Sequence, residues 1–230
     1  MYMKTLRPGW LLMLACILAV TLTTLPATAQ EGSGQTGAAA PDQSVDQASL
    51  AAHADAVAVV DKLHAALLDA MHHADELGFQ GRYAQLQPVI SSLFDTPLIC
   101  KVILSRYWDN LDEQQRTDFI ALFNRLSTST YASRFDGYSG QEFRHVGVQE
   151  LRKGRLLIKT ELTRPNDKPV KLDYLMHHDA GTWLIISVIA DGVNDLSLKR
   201  AEYAVVIRDK GYDGLLDDIR HKISDLEKDK

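Results

Sequence analysis

Arg155-Leu156-Leu157-Ile158-Lys159-Thr160-Glu161-Leu162-Thr163, then Val170-Lys171-Leu172-Asp173-Tyr174-Leu175-Met176, then Thr182-Trp183-Leu184-Ile185-Ile186-Ser187-Val188-Ile189-Ala190: these runs decide the fold. They belong to a stretch from Glu142 to Val193 with strand-like runs at 142–149, 155–163, 169–177 and 182–190. The links between them are 150–154, Arg164-Pro165-Asn166-Asp167-Lys168 and His178-Asp179-Ala180-Gly181. Such short links, rich in Gly, Pro, Asn and Asp, predict a four-stranded antiparallel meander and leave no room for helical crossovers.

Within the runs the apolar residues alternate. Leu156, Ile158, Thr160 and Leu162 share one face, with Lys159 and Glu161 opposite. Val170, Leu172, Tyr174 and Met176 share another, with Lys171 and Asp173 opposite. Period-two alternation means one buried face and one wet face. The run from Trp183 to Ala190 is apolar on both faces and reads as a doubly covered strand. Something must therefore cover the sheet.

The cover is predicted on both sides of the stretch. A helix spans 44–77 on the spacing of Leu50, Val57, Val60, Leu63, Leu67, Met71 and Ala74, with Gly78 as its stop. A segment at 82–93 follows, broken near Pro88. Asp95-Thr96-Pro97 caps a helix running to about Trp108, and Asp112-Glu113-Gln114-Gln115 opens another with capping-box spacing. The stripe of that second helix is Phe119, Leu122, Phe123, Leu126, Thr130, Tyr131 and Phe135. After the sheet, a helix from Asp195 or Ser197 ends at Gly211, and a last one runs over 213–227. The fold class is α+β, a four-stranded antiparallel sheet covered by several helices, in one domain over 44–230.

The N-terminus carries an address. Lys4 and Arg7 precede an apolar run from Trp10 to Leu22, and Ala27-Thr28-Ala29 supplies a small-residue cleavage site. Residues 1–29 read as a cleavable signal peptide, and the Gly-, Ser-, Gln- and Ala-rich 30–43 as a disordered linker. Loss of Lys4 and Arg7 takes the formal charge from −5 to −7. An acidic chain is a poor fit to nucleic acid or to anionic lipid head groups. Only Cys100 survives cleavage, so no intramolecular disulfide forms and the thiol is expected to be buried and inert.

Catalytic motifs are missing. There is no nucleophile elbow, phosphate loop, paired-cysteine metal signature or dinucleotide fingerprint. His72 and Glu76 stand at i and i+4, but two ligands make no metal site, and a solvated helix end is the reading adopted. A general base built from His177 with Asp173 or Glu161 is conceivable on a shared sheet face. No catalytic residue, metal or cofactor is assigned, and the chain is read as a non-enzyme. The competing readings are an enzyme with a cone-shaped α+β pocket for a small apolar substrate, and a ligand-free periplasmic adaptor.

A series of residues carries a family likeness. Arg106-Tyr107-Trp108, Leu111-Asp112-Glu113-Gln114-Gln115-Arg116, Phe119 and Phe123 come first. Tyr131-Ala132, Tyr138, Gly140, Trp183, Asp191-Gly192-Val193, Arg200, Tyr203 and Gly211 follow. In order and spacing, over about 44–226, the series resembles the MlaC family of periplasmic phospholipid-binding proteins, also called the toluene-tolerance family. Ser187 stands where members often have Asp, and Asn194 where a Ser often follows Gly-Val. The run from Asn194 to Tyr203 is closer to the hopanoid-associated HpnM branch.

The resemblance implies an NTF2-like, MlaC-like lipid-pocket architecture and a periplasmic carrier that shuttles phospholipid or hopanoid between membranes. A bound lipid is the expected ligand, and the carrier is expected to be a monomer. Implied partners are an inner-membrane transporter, of ABC type with an MCE ring or of RND type, and an outer-membrane lipoprotein complex. On that reading the sheet's share of the pocket wall is Leu156, Ile158, Leu162, Val170, Leu172, Tyr174 and Met176. Phe123, Leu126, Tyr131 and Phe135 face them from the helix, and Ile186 or Val188 joins according to which face of the last strand points inward. A charged residue at Leu172 or Tyr174 is expected to abolish carriage in a folded protein.

Overall fold

The computed structural model describes residues 45–228; the leader and linker assigned to 1–43 lie outside the described residues. The meander is present. Strands β1 (Glu142–Leu151), β2 (Arg155–Thr163), β3 (Val170–Asp179) and β4 (Thr182–Ala190) pair antiparallel with their neighbours in chain order. A fifth strand, β5 (Val193–Asn194), corrects the four expected, pairing Ile189 with Asn194 and Ala190 with Val193. Its cause is local: Asp191 and Gly192 have φ of 49° and 82°, and two consecutive left-handed residues reverse the chain tightly enough for a new pair to form at once. Ala180 and Gly181 make the same kind of turn between β3 and β4.

Two bulges shape the sheet. Opposite β2 the register slips between His145 and Gly147, leaving Val146 extra. Opposite β3, Leu175 pairs with Ser187 but Met176 pairs with Ile185, leaving Ile186 extra. This resolves the doubly apolar last strand. Ile185, Val188 and Ala190 share the face of Met176, Tyr174 and Leu172, whereas Ile186 is the bulge residue and is buried as well.

The helices are α1 (Gln47–Ala52), α2 (Ala54–His72), α3 (Ala74–Leu93), α4 (Thr96–Leu104), α5 (Glu113–Arg134) and α6 (Asp195–Lys228). A 3-10 segment, Ser105–Asn110, follows α4. The single helix expected over 44–77 is thus divided at His53 and His73, whose backbones leave the helical region. Each histidine has a competing partner: His53 Nε2 lies 3.1 Å from Glu150, and His73 Nδ1 lies 3.0 Å from the Asp69 carbonyl. Gly78 and Gly211 mark sharp kinks at φ 57° and 75°, and Pro88 sits inside α3. No described helix is long and apolar enough to cross a membrane.

The core has two layers. One lies between the sheet and α2 and α3, built on Ala56, Val60, Leu63, Leu67, Ile158, Tyr174, Met176 and Ile185. The other is helical: Ile99, Cys100 and Ile103 of α4, Phe119, Phe123 and Leu126 of α5, and Tyr203, Leu215, Ile219 and Ile223 of α6. Cys100 is fully buried there, and burial pushes its thiol far above the usual range. Asp95 joins the layers. Its Oδ1 accepts from Leu98 N at 2.9 Å, its Oδ2 lies 2.8 Å from His177 Nε2, and its own N–H donates to Ile185 O at 3.0 Å.

Asp95→Ala removes a helix cap and a cross-layer bond together, so it should cost about 2 kcal/mol of unfolding free energy. Asp112→Ala breaks the capping box of α5, which has no such second contact, and should cost about 1 kcal/mol. Urea unfolding of both variants checks the ranking; equal losses would show that the Asp95–His177 bond contributes nothing.

Candidate functional site

The inner face of the sheet is an apolar floor with a gradient of burial. At one end Leu156 faces Met176, which faces Ile185, and the three are 4%, 0% and 0% exposed. In the middle Ile158 faces Tyr174, which faces Val188. At the other end Phe143 faces Leu162, which faces Val170, and all three are only half-buried. Burial therefore falls off along the floor, from a sealed end at Leu156 to a half-buried one at Phe143. Leu172 and Tyr174 lie on the sealed side of this change and are buried. A charge placed at either would be buried without a partner and would unfold the protein, so neither position can test binding on its own.

The stripe of α5 divides. Phe123 and Leu126 pack in the helical layer against α4 and α6, away from the floor. Tyr131 and Phe135, at the C-terminal end, stack with ring centroids 5.8 Å apart, and Tyr131 also lies 6.0 Å from Phe94. Both are half-buried. Burial pushes the Tyr131 phenol far above its usual range, with Asp195 adding to the rise, and burial, with Tyr131 next, raises Tyr174.

The half-buried end is bordered by the segment joining α5 to β1. Tyr138 is exposed but rests on His72, centroid to centroid 3.7 Å. Gly140, at φ 88°, passes so near Pro165 that a Cβ there would sit 2.8 Å from the proline ring. The α5–β1 link is thus packed against the β2–β3 turn beside Leu162 and Val170. His177, considered as a base with Asp173 or Glu161, is instead held by Asp95 on the other face.

Comparison with known proteins now decides the family. The model of the MlaC protein family matches residues 61–221. The chain belongs to the MlaC family. Among solved structures, a phospholipid-binding protein from Ralstonia solanacearum, determined in complex with a phospholipid, matches with a TM-score of 0.68 at 19% identity. The match covers 76% of this chain and 99% of that one, and at this identity it establishes a common fold.

Within this MlaC-family fold, the two departures noted in the sequence turn out to be one feature. The Ser187 hydroxyl donates to Asn194 Oδ1 at 3.3 Å, and the same oxygen accepts from Ser197 N at 2.9 Å. Asn194 is thus the N-terminal cap of α6, and Ser187 from within β4 holds the same oxygen.

One polar group does sit beneath the floor. His64 of α2 is 5% exposed; its Nε2 lies 3.0 Å from Tyr174 Oη, and its ring stacks on Phe143 at 3.9 Å. Asp61, one turn earlier, lies 2.6 Å from His145 Nε2 on β1. Burial, with a smaller contribution from His145, lowers His64 from 6.5 to about 3. Sequence reasoning missed this group because His145 and Tyr174 lie 84 and 110 residues from their partners Asp61 and His64.

The lowered value fixes a sign. Below about pH 6.5 the unfolded chain protonates His64 while the folded chain does not, so stability falls as pH drops from about 6.5 towards 3. The slope from this group is on the order of 1.4 kcal/mol per pH unit. His64→Gln keeps hydrogen-bonding capacity without titrating, so it should flatten the decline of unfolding free energy over that window, measured in chelator-containing buffer. An unchanged slope would show that His64 is protonated in the folded protein.

Proposed function

We propose that this chain is a periplasmic lipid carrier that holds acyl tails between the sheet floor and the end of α5. The observation that carries the reading is the apolar floor, buried at Leu156, Met176 and Ile185 and only half-buried at Phe143, Leu162 and Val170. Tyr131 and Phe135 form its aromatic side. Membership of the MlaC family and the shared fold of a protein solved with phospholipid support it. The leader read at 1–29 supports export to the periplasm.

The task sets the architecture. Two acyl tails carry roughly 30 methylenes, each costing about 0.8 kcal/mol to expose to water. A carrier must cover them and need break no bond. An acidic carrier gains little from anionic bilayers, so it loads and unloads at protein docks, in keeping with an inner-membrane transporter and an outer-membrane complex as partners. The ligand class is a tailed membrane lipid, phospholipid or hopanoid.

Mass spectrometry of organic extracts from the purified mature protein tests this directly. One lipid per chain is expected, and the lipid class separates phospholipid from hopanoid. Leu162→Asp and Val170→Trp alter the half-buried rim without burying a charge in the sealed core. Each should lower occupancy by about tenfold, a change of roughly 1.4 kcal/mol, with far-UV circular dichroism unchanged. Protein that stays empty after loading with either lipid from solvent would sink the carrier reading.

A further inference from the structure

Asp61 and His64 stand three residues apart on α2, so they project from one helix face, and His145 faces them from β1. One ring nitrogen from each histidine and one Asp61 oxygen lie within 4.8 Å of one another. We propose that Asp61, His64 and His145 bind a divalent transition-metal ion of the zinc class, with water completing its coordination. Nothing in the carrier reading requires this site, and it stands or falls separately.

The hydrogen bonds already present prepare the donors. Asp61 Oδ1 and His145 Nε2 are 2.6 Å apart, so the ion takes the place of the proton that they share, with His145 neutral. With Nε2–H of His64 donating to Tyr174 Oη, the lone pair of His64 lies on Nδ1. A metal-binding histidine takes this form, one nitrogen bare and the other held by an oxygen that fixes the ring. Asp61 contributes negative charge, and its side chain is 57% exposed, which gives the ion a way in.

The donor set selects the ion. Two imidazoles with one carboxylate suit zinc and its neighbours, whereas magnesium and calcium demand oxygen ligands. The Asp-x-x-His spacing also brings two ligands to one helix side, as Glu-x-x-His does in di-iron bundles. An ion here would fasten α2 to the edge strand beside Phe143 and Tyr174.

The test is calorimetric titration of chelator-treated mature protein with Zn²⁺, and with Mg²⁺ for contrast. One Zn²⁺ per chain in the micromolar range and no Mg²⁺ binding are expected. Asp61→Asn and His145→Gln, both at partly exposed positions, should each weaken Zn²⁺ by at least about tenfold with the fold intact. The control His72→Gln/His73→Gln should bind as the wild type does. Tetrahedral or five-coordinate absorption bands on Co²⁺ substitution, lost in the two site variants, would support the same ligands. Absence of saturable Zn²⁺ binding overturns the proposal, as does unchanged affinity in both site variants or loss in the His72/His73 control.

Discussion

The hydroxyl of Tyr174 is the constraint around which the sheet layer is arranged. It lies on a central strand at 2% exposure, out of reach of bulk water. Left unpaired it would cost about 1–3 kcal/mol. His64 meets it at 3.0 Å across a gap of 110 residues in sequence, and that contact sets the rotation of α2 about its own axis. Once His64 points at Tyr174, Val60, Leu63 and Leu67 turn inward on the same face, all at 1% exposure or less. One polar bond thereby fixes the register of a largely apolar interface, in which many rotations would bury similar area.

The same layer is closed at its margins by backbone chemistry. The open edge of β1 is occupied by α1 and its cap: Asp46 N–H donates to Val146 O at 2.8 Å, and Val148 N–H donates to the Ser49 hydroxyl at 2.9 Å. Gly147 permits that approach, since a Cβ there would lie 3.1 Å from Asp46 Cβ. Along β4 the far edge is taken partly by β5 and partly by Phe94, which bridges Ile185. Strand edges that would otherwise template association are thus spent within the chain. Both bulges fall where a helix or loop docks on an edge, so the extra residues Val146 and Ile186 are part of how the sheet is capped.

Much of this was legible in the sequence, and the exceptions share a cause. Alternation and turn residues placed β1 to β4 within two residues at either end; β2 and β3 carry the period-two record of one wet and one buried face, while β4 showed only as a bounded apolar run. Asp95 and Asp112 announced their helices because capping is local chemistry. The breaks at His53 and His73 were hidden because they follow from local and distant partners of the histidines and not from any breaker residue. β5 was hidden because two residues cannot show a period. For the candidate site, the floor residues were legible as a face, but which end is left half-buried was not, since that depends on what the α5–β1 link covers.

The division of α5 bears most directly on how such a site would work. The apolar stripe divides: its middle, Phe119 to Leu126, is locked among α4 and α6, while Tyr131 and the C-cap Phe135 stack on each other outside that cluster. The helix is therefore anchored at one end and half-exposed at the other. Any occupant of variable bulk must be accommodated by the parts held least firmly, and a sealed end at 0–4% exposure has no slack. On the carrier reading, adjustment falls to Phe135, the α5–β1 link and the Leu162–Val170 rim. The buried Leu156–Met176–Ile185 row meanwhile sets a fixed depth that tails of different length must meet.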